Sequence, residues 1–229
     1  MKKIFTALLS IGISLGVMAQ GTIIRPSNPK PTTTAKKHST IKISKPDGFI
    51  GNHGYVDLGL PSGLKWATCN IGASSPSDYG DYYAWSEVTT KLIYSKGNND
   101  NYNKEIGDIS GNPQYDAARA NWGKTWRIPT MFEMEELLNK CRWIWTRQNR
   151  QNGYMVIGPN NKSIFLPAAG LFSGETKEGI GTFLGYCSST PGAGSTTYAY
   201  YLWFELNKKD KQINDNGRWR GHSVRPVSD

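Results

Sequence analysis

The chain has 229 residues, a formal net charge of +9, three histidines and three cysteines, with aromatic residues making up 12% of it. That length can bury a substantial core, and the sparse Cys and His leave no spacing of the kind that holds zinc. Positive charge would suggest a nucleic-acid partner, but residues 1–47 alone carry eight cations (Lys2, Lys3, Arg25, Lys30, Lys36, Lys37, Lys42 and Lys45) against Asp47. The excess lies ahead of the main body of the chain, so no basic groove and no nucleic acid are expected.

Met1-Lys2-Lys3, the apolar run Ile4 to Met18 and the small residues Val17-x-Ala19 form the pattern of a secretory signal peptide, residues 1–19, cleaved after Ala19. The expected destination is the periplasm, the cell surface or the exterior. No cysteine follows the cleavage point to take a lipid anchor, and no later run approaches the roughly 20 apolar residues that span a bilayer. Residues 20–46 hold Pro26, Pro29, Pro31, a Thr32-Thr33-Thr34 run and scattered Lys, the composition of a disordered basic linker. Its charge would give weak, salt-screened contact with an anionic surface. The alternation Thr40-Ile41-Lys42-Ile43 offers an edge strand instead. Residues 47–229, uniform in composition, are expected to form one domain.

Along that domain, Tyr55 to Gly59 and Leu64 to Thr68 are strand candidates joined by Pro61-Ser62-Gly63, a turn sequence, and so predict a hairpin. Tyr82 to Trp85 is another aromatic strand. Lys96 to Asn112, dense in Asn, Asp and Gly, is a loop. Asn112-Pro113 reads as an N-cap and first-turn proline for a helix that stops at Gly123. A second helix starts at Thr130, with Glu133 completing a capping box and Met134, Leu137, Leu138 and Cys141 forming an apolar stripe. Strands then follow over residues 142–146, 154–157, 163–167, 184–188, 198–206, 211–214 and 221–227. Two helices and many short strands predict an α+β domain on a twisted, mostly antiparallel sheet.

The strand 198–206 carries the functional question. Tyr200, Leu202, Phe204 and Leu206 share one face, suited to a core, while Tyr201, Trp203 and Glu205 share the other. That second face is either another buried layer or a binding surface. A hairpin would set Gln212 and Asn214 beside it, with Arg218, Trp219, Arg220 and His222 returning next. Rigid aromatic area combined with Arg and amide groups is what ligand surfaces use.

Five ordered motifs carry a family resemblance: "YVDLGLPSGLKWATCNIGA", "DAARANWGKTWRIPTMFEMEELLNKC", "SIFLPAAG", "YCSSTP" and "GHSVRPV". From Tyr55 to Val227 the chain resembles the Fibrobacter succinogenes major paralogous domain, common in secreted proteins of Bacteroidetes. That family is similar to the C-type lectin-like fold, and "WRIPTMFEMEEL" resembles a segment of the formylglycine-generating enzyme superfamily. The resemblance implies a C-type lectin-like architecture, with helices flanking sheets and the last strands and loops exposing a variable face. It also implies a disulfide between Cys69 and Cys141, leaving Cys187, where the family usually has an aromatic, as a buried small hydrophobe. In related lectin-fold proteins the C-terminal segment can be a target of diversity-generating retroelements. The Asn-, Tyr- and Lys-rich run here fits that pattern loosely, whereas Trp203, Glu205 and Trp219 do not.

Catalysis finds little footing. Formylglycine-generating chemistry needs paired reactive cysteines binding copper, and Cys187 stands alone. The histidines, His38, His53 and His222, are scattered, and Ser188-Ser189 at a strand end suits backbone hydrogen bonding. Glu87, Glu133, Glu175 and Glu205 have no defined mutual spacing, with Glu133 taken by its capping box. Calcium would need six to eight oxygens, and Ile213-Asn214-Asp215 has no partner tripeptide. Asp57, Asp78 and Asp81 suit loops and turns. The expectation is a non-enzymatic, adhesin-like or lectin-like binding protein without cofactor or metal. It would recognise a surface glycan or protein through Tyr201, Trp203, Glu205, Gln212, Asn214, Arg218, Trp219 and His222. The alternative is a structural component of a cell-surface assembly.

Overall fold

The computed structural model describes residues 42–205 and 212–229. The signal-peptide assignment and most of the linker lie outside them. Strand β1 (Gly48–Ile50) pairs with β2 (His53–Asp57), and β3 (Lys65–Ala67) pairs with β2 across the expected Pro61-Ser62-Gly63 turn. Gly63 adopts φ +72°, a left-handed value that side chains resist, and its N–H donates to Leu60 O at 2.9 Å. After β4 (Tyr82–Tyr83) and a long loop come helix α1 (Ala117–Trp122) and helix α2 (Met131–Lys140). Glu136 of α2 accepts from the backbone N–H and the hydroxyl of Ser62, clamping the first hairpin to the helix.

Strands β5 (Arg142–Gln148), β6 (Gln151–Ile157) and β7 (Ser163–Pro167) form an antiparallel meander, and β8 (Leu171–Ser173) and β9 (Thr176–Glu178) a short ribbon. Strands β10 (Phe183–Pro191), β11 (Tyr198–Glu205), β12 (Gln212–Gly217) and β13 (His222–Ser223) join β4 in a five-stranded sheet of order β12-β11-β10-β13-β4. One of its pairings, β10 with β13, is parallel. Strand β14 (Val227–Ser228) closes the first sheet beside β3, in the order β1-β2-β3-β14. The architecture is α+β, mostly sheet with two helices.

Helix α2 begins as its sequence predicts. Thr130 Oγ1 accepts from Glu133 N–H and Glu133 Oε2 accepts from Thr130 N–H, a reciprocal cap, while Arg127 fixes the same carboxylate. Met134 and Leu137 are buried from this helix, with Leu138 and Cys141 packed at their margin. Helix α1 differs from expectation. Its N-cap is Asp116, four residues after Asn112, whose side chain instead accepts from Gln114 N–H in the preceding turn. The buried Asp116 carboxylate accepts from Ala118, Arg119, Gly111 and Ile128 N–H, so one side chain caps the helix and ties the loops before and after it. Burial raises its pKa even against those four donors.

Two expectations about the chain's staples and ends change. Cys69 and Cys141 are free thiols, not a disulfide. Cys69 follows β3 beside Thr68, whereas Cys141 caps α2 and packs on the main core, where burial raises its pKa to about 12. Residues 42–46, assigned to the linker, lie along β7: Ser163 Oγ donates to Lys42 O, Ser163 N–H donates to Ser44 Oγ, and Ile43 packs against Met155, Ile157 and Phe165.

Asp116→Ala strands four N–H groups, two of them buried, and should lower unfolding free energy by about 3–5 kcal/mol in urea titrations. Thr130→Ala removes a half-exposed cap and should cost about 1 kcal/mol. Equal losses would mean that Asp116 acts as an ordinary helix cap.

Candidate functional site

The five-stranded sheet is covered on both faces, and this decides which residues a ligand can reach. Leu202 and Phe204 of β11 belong to a core cluster with Met134 and Leu137 of α2 and the β6–β7 strands. On the opposite face Ala199 and Tyr201 join Ala117 and Ala118 of α1, Ile109 of the long loop, Cys187 and Trp85. Tyr201 is therefore 0% exposed, a member of a second buried layer and not of an outward face. Its ring lies 4.1 Å from that of His222, which is also 0% exposed. Arg218 is 1% exposed. These three expected contacts are sealed in the fold.

The others divide. Trp203 is half-buried and stacks on Phe183 at 4.5 Å, with the His222 ring at its edge. Glu205 ends β11, and its side chain lies outside the described residues. Gln212 and Asn214 are exposed on β12 and stand opposite Trp203 and Tyr201 in the expected register. Trp219 is half-buried at the rim of a cleft.

Arg218, beside it in the chain, lines a neighbouring cleft and ties the loops together. Its guanidinium donates to the carbonyls of Tyr198, Lys104 and Ser195 at 2.9, 2.9 and 3.3 Å and lies over the Trp85 ring at 4.1 Å. Its carbonyl accepts from Trp85 N–H and Asn99 Nδ2. Burial lowers its pKa, and the carbonyl oxygens stand in for water. One cation thus pins the loop before β11 and the long loop after β4. Thr196 Oγ1 adds a bond to Asn103 Oδ1, and Asn101 Nδ2 donates to Ser86 O.

Three open clefts surround this pinned loop, residues 96–107. The first, about 260 Å³, is lined by Ser86, Glu87, Lys91, Asn98, Asp100 and Asn101 among others. Glu87 and Lys91 are paired within it at 2.6 Å. A second, about 480 Å³, lies between Glu105 to Gly107 and Pro191 to Thr196, with Arg218 at its floor. The third, about 180 Å³, is lined by Lys96, Tyr102, Tyr198, Asn216, Trp219 and Arg220. Tyr198 is 46% exposed. Sequence reasoning found Trp219 and set Arg220 beside it, but missed the other four, because alternation along β11 points to Tyr201 and gives no sign that coverage ends before Tyr198. The Asn- and Lys-rich loop was visible as a loop, but not as the common wall of three clefts.

Of the reactive groups singled out in the sequence, Cys187, Ser188, Ser189 and His222 are enclosed. Burial, with the Asp116 charge adding to it, pushes the Cys187 thiol well up. Ser188 Oγ donates to Tyr200 O at 2.7 Å, and Ser189 is buried beside it. His53 stacks on Trp122 at 3.7 Å. Among the described residues no three His, Cys, Asp or Glu side chains cluster to hold a metal ion, and no helix is long and apolar enough to cross a membrane. No family model matches the chain, and neither a curated protein nor a solved structure matches it.

Among the described residues neither ring nitrogen of His222 has a hydrogen-bond partner, and desolvation, helped by the Arg220 charge, pushes its pKa from 6.5 down to about 3. The fold needs the neutral imidazole. Its contribution is therefore complete above pH 6.5 and is lost as pH falls toward 3, by at most about 1.4 kcal/mol per pH unit. In urea titrations across that window, His222→Phe should flatten the fall in stability. An unchanged slope would place the acid sensitivity on other groups.

Proposed function

We propose that the chain is a non-enzymatic binding protein of the cell surface or exterior. Its domain would be C-type lectin-like, of the Fibrobacter succinogenes major paralogous type, and it would hold its ligand in the clefts around residues 96–107. The observation that carries this reading is the convergence of three clefts on one loop that Arg218 holds against the sheet. Binding residues concentrate on loops set by a rigid scaffold. Around this loop stand Tyr102, Tyr198 and Trp219, which offer rigid contact area at low entropic cost, beside Asn and Ser groups that adapt their hydrogen bonds. The enclosure of Cys187 and His222 supports recognition in preference to turnover. Compared with the face expected from strand alternation, the site moves to the end of β11 where its coverage stops, and it keeps Trp219.

Binding of the full chain to a glycan panel and to cell-surface extracts tests the reading, with Trp219→Ala and Tyr198→Ala variants checked for folding by circular dichroism. Each folded variant should bind at least about tenfold more weakly, the loss of roughly 1.4 kcal/mol expected of an interface anchor. Loss confined to Gln212→Ala and Asn214→Ala would move the site to the exposed edge strand β12. Retention by all four variants would end the cleft reading.

A further inference from the structure

The third cleft has a chemical character that the other two lack. Among the described residues Lys96 and Arg220 both line it, and no carboxylate does. Among the described residues neither cation joins an ion pair, since the four ion pairs present use Lys91, Arg127 and Lys162. Their charges lean on aromatic rings instead: the Arg220 guanidinium lies 5.1 Å from the Trp219 ring and Lys96 Nζ lies 5.9 Å from the Tyr102 ring. Arg220 Nε is buried and has no hydrogen-bond partner among the described residues, a donor kept from water and unused there. The first cleft, by contrast, neutralises Lys91 with Glu87, and the second has Arg218 fully spent on carbonyls.

Shape adds a second constraint. At about 180 Å³ the cleft is smaller than the several hundred Å³ that enclose a drug-sized molecule, and it suits a single ring. Its aromatic walls, Trp219, Tyr198 and Tyr102, offer faces on which a sugar ring can stack. The indole lies so close over Gly217 that a Cβ there would stand 2.6 Å from Trp219 Nε1. Gly217 is thus a positioning residue, because only glycine lets the indole lie down at the rim. Asn216 supplies a neutral amide for hydroxyl groups.

We propose that this cleft binds one anionic sugar residue. The ring stacks on the aromatic wall, and its carboxylate or sulfate is held by Arg220 and Lys96. A guanidinium matches the planar, two-oxygen face of a carboxylate, and it does so best where water is excluded. The proposal rests on the reading of the loop clefts as a binding site and names the class of ligand for one of them.

The test uses the full chain, with tryptophan fluorescence and calorimetry as readouts. The probes are oligogalacturonate, the same oligomer with its carboxylates methyl-esterified, and a sulfated heparin tetrasaccharide. Oligogalacturonate or the heparin tetrasaccharide should bind at least about tenfold more tightly than the neutral ester. Raising salt from about 50 mM to about 500 mM should weaken that binding. Comparison of the two acidic probes decides between carboxylate and sulfate. Lys96→Gln, at an exposed position, tests the charge without threatening the fold. Both it and Arg220→Gln should erase most of the preference, and Gly217→Ala should weaken binding of acidic and neutral probes together. Binding of the ester as tight as that of the acids, or acid binding untouched by Lys96→Gln and Arg220→Gln, overturns the anionic assignment. If Trp219→Ala still abolishes ester binding in that case, the broader reading stands alone. Absence of binding by every acidic probe overturns the proposal outright, and the glycan panel then decides the broader reading separately.

Discussion

Arg225 is a cation sealed inside the protein, 1% exposed, with no carboxylate beside it among the described residues. A buried charge left alone would cost several kcal/mol. The fold surrounds it with oxygen: Nε donates to Asn70 Oδ1, Nη1 to the carbonyls of Ala67 and Thr68, and Nη2 to the carbonyl of Phe165. Asn70 in turn donates to Tyr186 Oη, which donates to Pro167 O. The end of the first sheet, the meander strand β7 and the five-stranded sheet are thereby held to one side chain. Removing it would leave oxygens from two distant parts of the chain, residues 67–70 and Phe165, facing one another without this donor.

The same residues place four of the five motifs that suggested a family. Asn70, Phe165 with Pro167, Tyr186 and Arg225 each come from a different one, and the remaining motif enters through Arg127, whose backbone exchanges hydrogen bonds with Val227. Those strings specify a scaffold more than a site. Arg218 repeats the device one layer out, with three carbonyls and an indole around its guanidinium, but what it secures is loop. An inner arginine fixes the sheets and an outer one fixes the surface where recognition is proposed.

Local signals in the sequence were legible where one short segment decides the outcome. Thr130 and Glu133 need only each other to start α2, and Pro61-Ser62-Gly63 needs only its own backbone to turn. The β11–β12 register also followed from the pattern. What escaped depended on distant partners. Asp116 outcompetes Asn112 as a cap because Ile128, twelve residues on, supplies a fourth donor. Tyr201 is buried because Ile109 and α1 cover the second face of β11, and alternation along a strand says nothing about a second cover. Arg218 and Arg225 are residue types expected at the surface, and the acceptors that let them enter the core lie as far as 158 positions away. The implied Cys69–Cys141 bridge came from the resemblance alone, and the two thiols sit in separate packing environments.

Strand β13 sits between β10, which it meets in parallel, and β4, which it meets antiparallel, and much of the fold depends on that insertion. Until residues 222–228 exist, β4 has no neighbour in its sheet, β3 lacks its outer partner, and Asn70 has no guanidinium to accept from. Non-local closure of this kind is slow, and partly made chains keep their strand edges open. Closure of the fold therefore rests on one short segment whose partners lie far away in the sequence, and β4 and the outer edge of β3 stay unpaired until it docks.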